Sequence, residues 1–221
     1  MLRGSNMQKT TILLVRHGQS EANAGGIFTG HSGYPLSALG HAQAERTAEY
    51  IKANYPVDAV FSSDLPRAFQ TAEHIALAFG LPIVTDARFR EINGGAWERK
   101  LFDQLQDLYP DDYAVWKTDV GNARCTGGES VMELADRVYE GVCAVAEANP
   151  GKCIVIATHA TPMRATIWKT ADMSASEFQN VSWGGNCGIS EFAYMGGELS
   201  AVKLNSVEHL TGMETKLPAS I

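Results

Sequence analysis

The 221-residue chain has a formal net charge of −7, a sequence pI near 5.4, 45% hydrophobic residues and 19% charged residues. A chain this acidic offers no broad basic face to nucleic acid or anionic lipid, and its hydrophobic content is that of a self-folding globular protein rather than a disordered one. Its length suits a single domain over 1–221, with core enough to dispense with disulfides or a structural metal.

No apolar run reaches the roughly 18 residues of a membrane span, and the opening residues lack the apolar stretch of a secretory signal. Cys125, Cys143, Cys153 and Cys187 form no CxxC pair or compact ligand spacing. They read as reduced, packed thiols of a cytoplasmic protein. Residues 1–6, ahead of Met7, read as an added leader without function.

Thr10 to Val15 is a continuous apolar, β-branched run ending at Arg16-His17-Gly18, the pattern of a buried strand that stops at a site. Gly18 fits a sharp turn there. A glycine-rich loop from Ala24 to Pro35 follows, and Ser37 is placed to cap a helix to about Asn54 with Leu39, Ala42, Ala48 and Ile51 among its apolar positions. Asp58 to Phe61 reads as a second strand and Pro66 as the first-turn proline of a helix to about Phe79, which puts Arg67 at a helix N-terminus. Pro82 to Thr85 is a short strand. The stretch 92–128 mixes aromatic and charged residues without one period and is expected to form a cap.

Ser130-Val131-Met132-Glu133 is a capping box, with Leu134, Val138, Val142 and Val145 at helical spacing behind it. Lys152 to Thr158 is another buried strand, and His159 follows its end as His17 follows the first; a helix is expected from near Pro162. Ile189–Tyr194 and Leu199–Leu204 form an antiparallel pair around Gly196-Gly197. The alternation predicts an α/β protein: a three-layer α/β/α sandwich whose central sheet is mostly parallel with a late antiparallel strand. Ligands of such sheets bind beyond the carboxyl ends of the strands, where Arg16, His17 and His159 meet.

Leu14-Val15-Arg16-His17-Gly18-Gln19-Ser20-Glu21-Ala22-Asn23 resembles the signature L-V-R-H-G-[EQ]-[ST]-x-x-N of the histidine phosphatase superfamily, which includes phosphoglycerate mutases and fructose-2,6-bisphosphatases. The resemblance continues in order through Phe28-Thr29-Gly30, Pro35 to Gly40, Ser62 to Ala72, Glu91, Gly128-Glu129-Ser130 and Thr158-His159. It implies a phosphoglycerate mutase-like fold and a phosphohistidine intermediate on His17, one ring nitrogen held by backbone near Gly18. Arg16 and Arg67 would grip phosphoryl oxygens, since planar, always-charged guanidinium groups suit them. A cation at a helix N-terminus is easier to justify when an anion sits there. His159, protonated at least in part, would donate to the phosphate, and Glu91 would serve as acid and base, with Glu98 the rival carboxylate. Asn23, Thr29, Gly30 and Ala160 align with phosphate- and substrate-lining positions, though the family's His-Gly is here His159-Ala160.

Two histidines and a carboxylate also suit a metal site, but arginines beside them repel a cation, so neither metal nor cofactor is expected. The same residues would also serve a mutase, or a module that only binds phosphorylated partners. The mutase pattern E-R-H-Y-G is replaced by Glu91-Ile92-Asn93-Gly94-Gly95, and Gly95-Ala96-Trp97-Glu98 resembles the phosphatase branch until Arg99 breaks it. Phe28-Thr29-Gly30 resembles the mutase version. A phosphatase acting on a small phosphorylated metabolite is the favoured reading, with Arg99, Lys100, Tyr113, Trp116, Lys117 and Arg124 as cap candidates for reading its second group.

Overall fold

The central strand β1 (Thr10–Arg16) is apolar on both faces, and Ile12, Leu13, Leu14 and Val15 are each at most 1% exposed. A strand buried on both sides needs a layer of helices over each face, and that requirement organises the molecule. The computed structural model describes residues 8–215, so the leader read into residues 1–6 lies outside the described residues.

Six strands form one sheet in the order β3-β2-β4-β1-β5-β6. β2 (Ala59–Ser62), β3 (Ile83–Thr85) and β4 (Cys153–Thr158) run parallel to β1, while the hairpin of β5 (Ile189–Met195) and β6 (Glu198–Ser206) is antiparallel. Gly196 and Gly197 turn that hairpin at φ 65° and 91°. The short helix α1 (Glu21–Ala24), capped by Ser20, interrupts the loop after β1.

Side-chain alternation along β1 divides the core in two. Leu13 and Val15 face Ala48 and Ile51 of α2 (Ala38–Asn54) and Ala72 and Ile75 of α3 (Pro66–Phe79). Ile12 and Leu14 belong to the opposite cluster, with Leu134, Val138 and Val142 further along the chain. Each fully buried side chain of this kind is worth about 1.5–3 kcal/mol relative to exposure.

Between β3 and that second layer, residues 92–128 fold into two short helices, α4 (Phe102–Leu108) and α5 (Pro110–Thr118), joined by tight turns. The second layer itself is α6 (Val131–Glu147), which starts with the expected capping box between Ser130 and Glu133, and α7 (Ala160–Thr170).

Two local expectations change. On α2, Leu39 is 36% exposed while Gln43 and Thr47 are fully buried, because Gln43 accepts from the Gln19 amide at 2.8 Å and donates to Met213 O at 2.7 Å. A buried polar clamp replaces part of the apolar stripe. The last helix starts at Ala160, two residues before Pro162, since a proline in the first turn forfeits only an amide that has no intrahelical partner.

Candidate active site

Parallel pairing of β1 with β4 sets Arg16 opposite Thr158. The next residue of each strand is a histidine, so the two imidazoles meet, edge to face, with centroids 5.1 Å apart. The site is therefore a consequence of strand register. His17 N donates to Thr158 O at 2.9 Å, and Asn186 Nδ2 donates to His17 O at 3.0 Å, fixing the backbone from both sides.

The His17 ring is 3% exposed and held at both nitrogens. Nδ1 lies 2.6 Å from Gly18 O, an acceptor only, so that nitrogen carries the proton. Nε2 is then the unprotonated nitrogen, and it accepts from Arg67 Nε at 3.2 Å. Gly18 is required by close approach: a Cβ there would lie 2.4 Å from Gly40 O. The turn itself needs no left-handed backbone at that residue.

Arg67, in the first turn of α3, is fully buried rather than a solvated helix-end charge. Its Nη1 donates to Ser32 O at 3.0 Å and its Nη2 to Gly30 O at 2.9 Å. Gly30 adopts φ +50°, and a Cβ there would press into the Glu98 carboxylate at 2.4 Å. Arg16, 5% exposed, donates through Nη1 to Gly184 O, and its Nε has no partner among the described residues. Burial pushes both guanidinium groups down to about 10, with the Glu91 charge opposing the shift. They remain cations at neutral pH.

Those cations and burial hold both imidazoles well below the ordinary histidine range, burial first and Arg67 next. His17 is thus a neutral ring with a fixed tautomer and a lone pair. The same surroundings favour neutral His159, whose Nε2 lies 2.9 Å from Ser63 Oγ and whose Nδ1 has no partner among the described residues. Protonation of His159 therefore belongs to a state in which an anion offsets the arginines.

Glu91 follows β3 by a short loop and is 9% exposed, so it is not a solvated surface charge. Its Oε1 accepts from the Ile92 amide at 2.9 Å, and Oε2 faces the Thr161 amide in the first turn of α7 at 3.5 Å. Glu98 is occupied elsewhere, taking the His31 amide at 2.7 Å and Ser32 Oγ at 2.8 Å. It braces the loop that Arg67 grips. Sequence reading missed Arg137 of α6, which donates to the carbonyls of Arg88, Arg90 and Glu91 at 2.7–2.9 Å and pairs with Glu129. The carbonyls it holds lie 46–49 residues away in sequence, so no local pattern marks that role.

A cavity of about 220 Å³ opens over this floor. Arg16, His17, Asn23, Thr29, Gly30, Glu91 and Ala160 all line it, whereas Arg67 and His159 touch His17 without being among the lining residues. Of the cap candidates, Tyr113, Trp116 and Lys117 reach the wall; Arg99, Lys100 and Arg124 do not. The wall is pinned by Trp97, fully buried, against which Phe28, Tyr113 and Trp116 pack at 5.5–5.7 Å between centroids. Two further lining residues, Arg164 and Trp183, were not anticipated; Arg164 falls one helical turn beyond Ala160 and Thr161, and that spacing is the signal that would have found it.

Among the described residues no three histidine, cysteine, aspartate or glutamate side chains converge as metal ligands, and no helix is long and apolar enough to cross a membrane. Buried cations around two neutral imidazoles, at the carboxyl ends of parallel strands, define an α/β enzyme that handles phosphoryl groups. The model of the histidine phosphatase superfamily (branch 1) matches residues 12–207, and the chain belongs to that superfamily. It is 29% identical to phosphoserine phosphatase 1 of Hydrogenobacter thermophilus, covering 90% of this chain and 93% of the relative. It is 31% identical to a probable phosphoglycerate mutase of Salmonella choleraesuis, covering 83% of this chain and 84% of that one. A phosphoserine phosphatase mutant from Entamoeba histolytica, solved with phosphoserine, superposes with a TM-score of 0.81 at 26% identity, over 91% of this chain and 99% of its own.

Proposed function

We propose that the chain hydrolyses a small phosphomonoester through a phosphohistidine on His17. The observation that carries this reading is the His17 ring itself: neutral, with Nδ1–H committed to Gly18 O and the Nε2 lone pair turned toward Arg67. An arriving phosphate draws the Arg67 Nε–H onto its own oxygens and uncovers that lone pair. Nε2 then attacks phosphorus, the P–N bond forms as the ester P–O bond breaks, and Glu91 gives the leaving oxygen its proton.

Water next attacks phosphorus while Glu91 takes its proton, and the P–N bond breaks to release inorganic phosphate and neutral His17. Arg16 and Arg67 neutralise the charge in transfer, and His159, protonated once the anion is bound, donates to it. Asn23, Thr29, Gly30 and Ala160 line the space the phosphate and ester enter. Residues 92–128 act as a cap within one catalytic unit, closing over the substrate with their aromatic wall. The four unpaired cysteines, three of them buried, support a cytoplasmic location.

The phosphatase reading is preferred to a mutase because Ile92 and Gly94 stand where the mutase pattern E-R-H-Y-G places arginine and tyrosine. The similarity to a probable phosphoglycerate mutase keeps isomerisation as the reading to exclude. Phosphate release from a panel of sugar phosphates, phosphoglycerates, nucleotides and phosphopeptides, run beside 3-phosphoglycerate isomerisation and with a chelator present, tests it. Hydrolysis that survives chelation supports the proposal; isomerisation outrunning hydrolysis, or activity that is lost with chelator and returns with metal, defeats it.

A further inference from the structure

Arg164 is 2% exposed, yet no carboxylate of the described residues forms an ion pair with it. Its Nε donates to Val181 O at 2.8 Å and its Nη2 to Phe178 O at 2.9 Å, while Nη1 is buried without a partner among the described residues. The guanidinium is clamped between rings, 3.9 Å from the Trp183 centroid and 4.7 Å from that of Phe178. Burial lowers it to about 10, so it is charged at neutral pH. A buried, immobilised guanidinium with an unpartnered nitrogen is stabilised by an anion that completes it, and Glu91, whose charge opposes the effect of burial, makes no ion pair with it. The cavity that Arg164 lines is where such an anion would enter.

We propose that Arg164 binds a carboxylate carried by the same molecule as the scissile phosphate. Arg164 follows Ala160 and Thr161 by four and three residues on α7, so it stands about 5–6 Å further along the same helix face. That separation fits a carboxylate two or three carbons from the ester oxygen. A flat carboxylate suits the edge of a planar guanidinium, which the Trp183 ring stacked on its face leaves free. The substrate class is therefore a phosphomonoester of a short hydroxy acid or hydroxy amino acid. This inference rests on the phosphomonoesterase reading above.

The test compares kcat/KM within two matched pairs that differ by the carboxylate, phosphoserine against phosphoethanolamine and 3-phosphoglycerate against glycerol 3-phosphate. The wild type should favour the carboxylated member by about 10- to 100-fold, the worth of a hydrogen bond to a charged group. In Arg164→Gln the ratio should fall to about 3-fold or less, and in Arg164→Lys to an intermediate value. A ratio within one preparation is insensitive to a partial loss of folded enzyme. If the glutamine variant does not fold, the lysine variant and the wild-type ratio decide. A wild-type ratio near one, or a ratio unchanged in either variant, overturns the proposal. Absence of turnover with all four compounds counts against hydrolysis alone; calorimetric binding of the same pairs to His17→Ala then reads the carboxylate preference, and equal affinities overturn it.

Discussion

The floor of the cavity and its wall hold their side chains by different means. On the floor, Arg16, His17 and His159 are fixed by the pairing of β1 with β4, and hydrogen bonds to Gly18 O, Gly30 O and Ser32 O leave the His17 ring and the Arg67 guanidinium almost no freedom. The wall is made of Phe28, Tyr113 and Trp116 packed edge to face around Trp97, ring contacts that involve no hydrogen bond between them. The floor suits a reaction common to many substrates, and the wall suits choosing among them. Substitutions on the two should therefore differ in kind as well as size.

The largest effect belongs to the floor. His17→Ala should lower kcat by about 10⁴-fold or more, as loss of a nucleophile does, while its thermal unfolding stays cooperative. Next comes Arg67→Ala, expected to lower kcat/KM by about 10²- to 10³-fold, because it removes charge stabilisation and the donor that orders His17. A fall confined to KM would place Arg67 outside the transition state.

Arg137 probes how the floor is kept in place without touching substrate. Arg137→Met should release the loop holding Glu91 and reduce kcat by about 10-fold, with KM changing less and Arg137→Lys recovering only part, since one ammonium cannot span three carbonyls. Equal loss of kcat and of thermal stability, fully restored by lysine, would make its role structural only. Trp116→Ala, on the wall, should raise KM by about 3- to 10-fold, more than it lowers kcat, and by amounts that vary between substrates. A uniform loss across substrates would erase the distinction between the regions.

The smallest effect is on stability. His17 and His159 stay neutral in the fold, whereas unfolded histidines bind protons near pH 6.5. Their contribution is complete above about pH 6.5 and is lost as pH falls through and below it, by up to about 1.4 kcal/mol per pH unit for each ring. Melting temperature measured from about pH 7.5 to 5 should fall, and His159→Gln should fall less steeply. An unchanged slope would mean His159 is already protonated in the fold.

The same division explains what the sequence made readable. The floor was legible because it sits at strand ends, where a run of buried β-branched residues stops and a polar pair begins; Arg16-His17 and Thr158-His159 both carry that punctuation. Glu91 was legible through resemblance and not through any period of its own. Arg137 and Asn186 were not, because they hold backbone carbonyls far away along the chain, and a carbonyl leaves no mark in sequence; Arg164 was marked only by its place one helical turn beyond Ala160 and Thr161. The exposure of Leu39 and burial of Gln43 likewise depend on the loop at Gln19 and on Met213, which a helical period does not register. The wall was read in part: Tyr113, Trp116 and Lys117 reach it while Arg99, Lys100 and Arg124 do not, because its order comes from aromatic packing across several short helices.

The central claim is that phosphate passes through His17 Nε2, and the most direct measurement is rapid-quench labelling with a ³²P-phosphomonoester followed by peptide mapping. The expected label is stable to alkali, lost in acid, confined to the peptide bearing His17 and absent from His17→Ala. Label on another residue, or full turnover in His17→Ala, would contradict it.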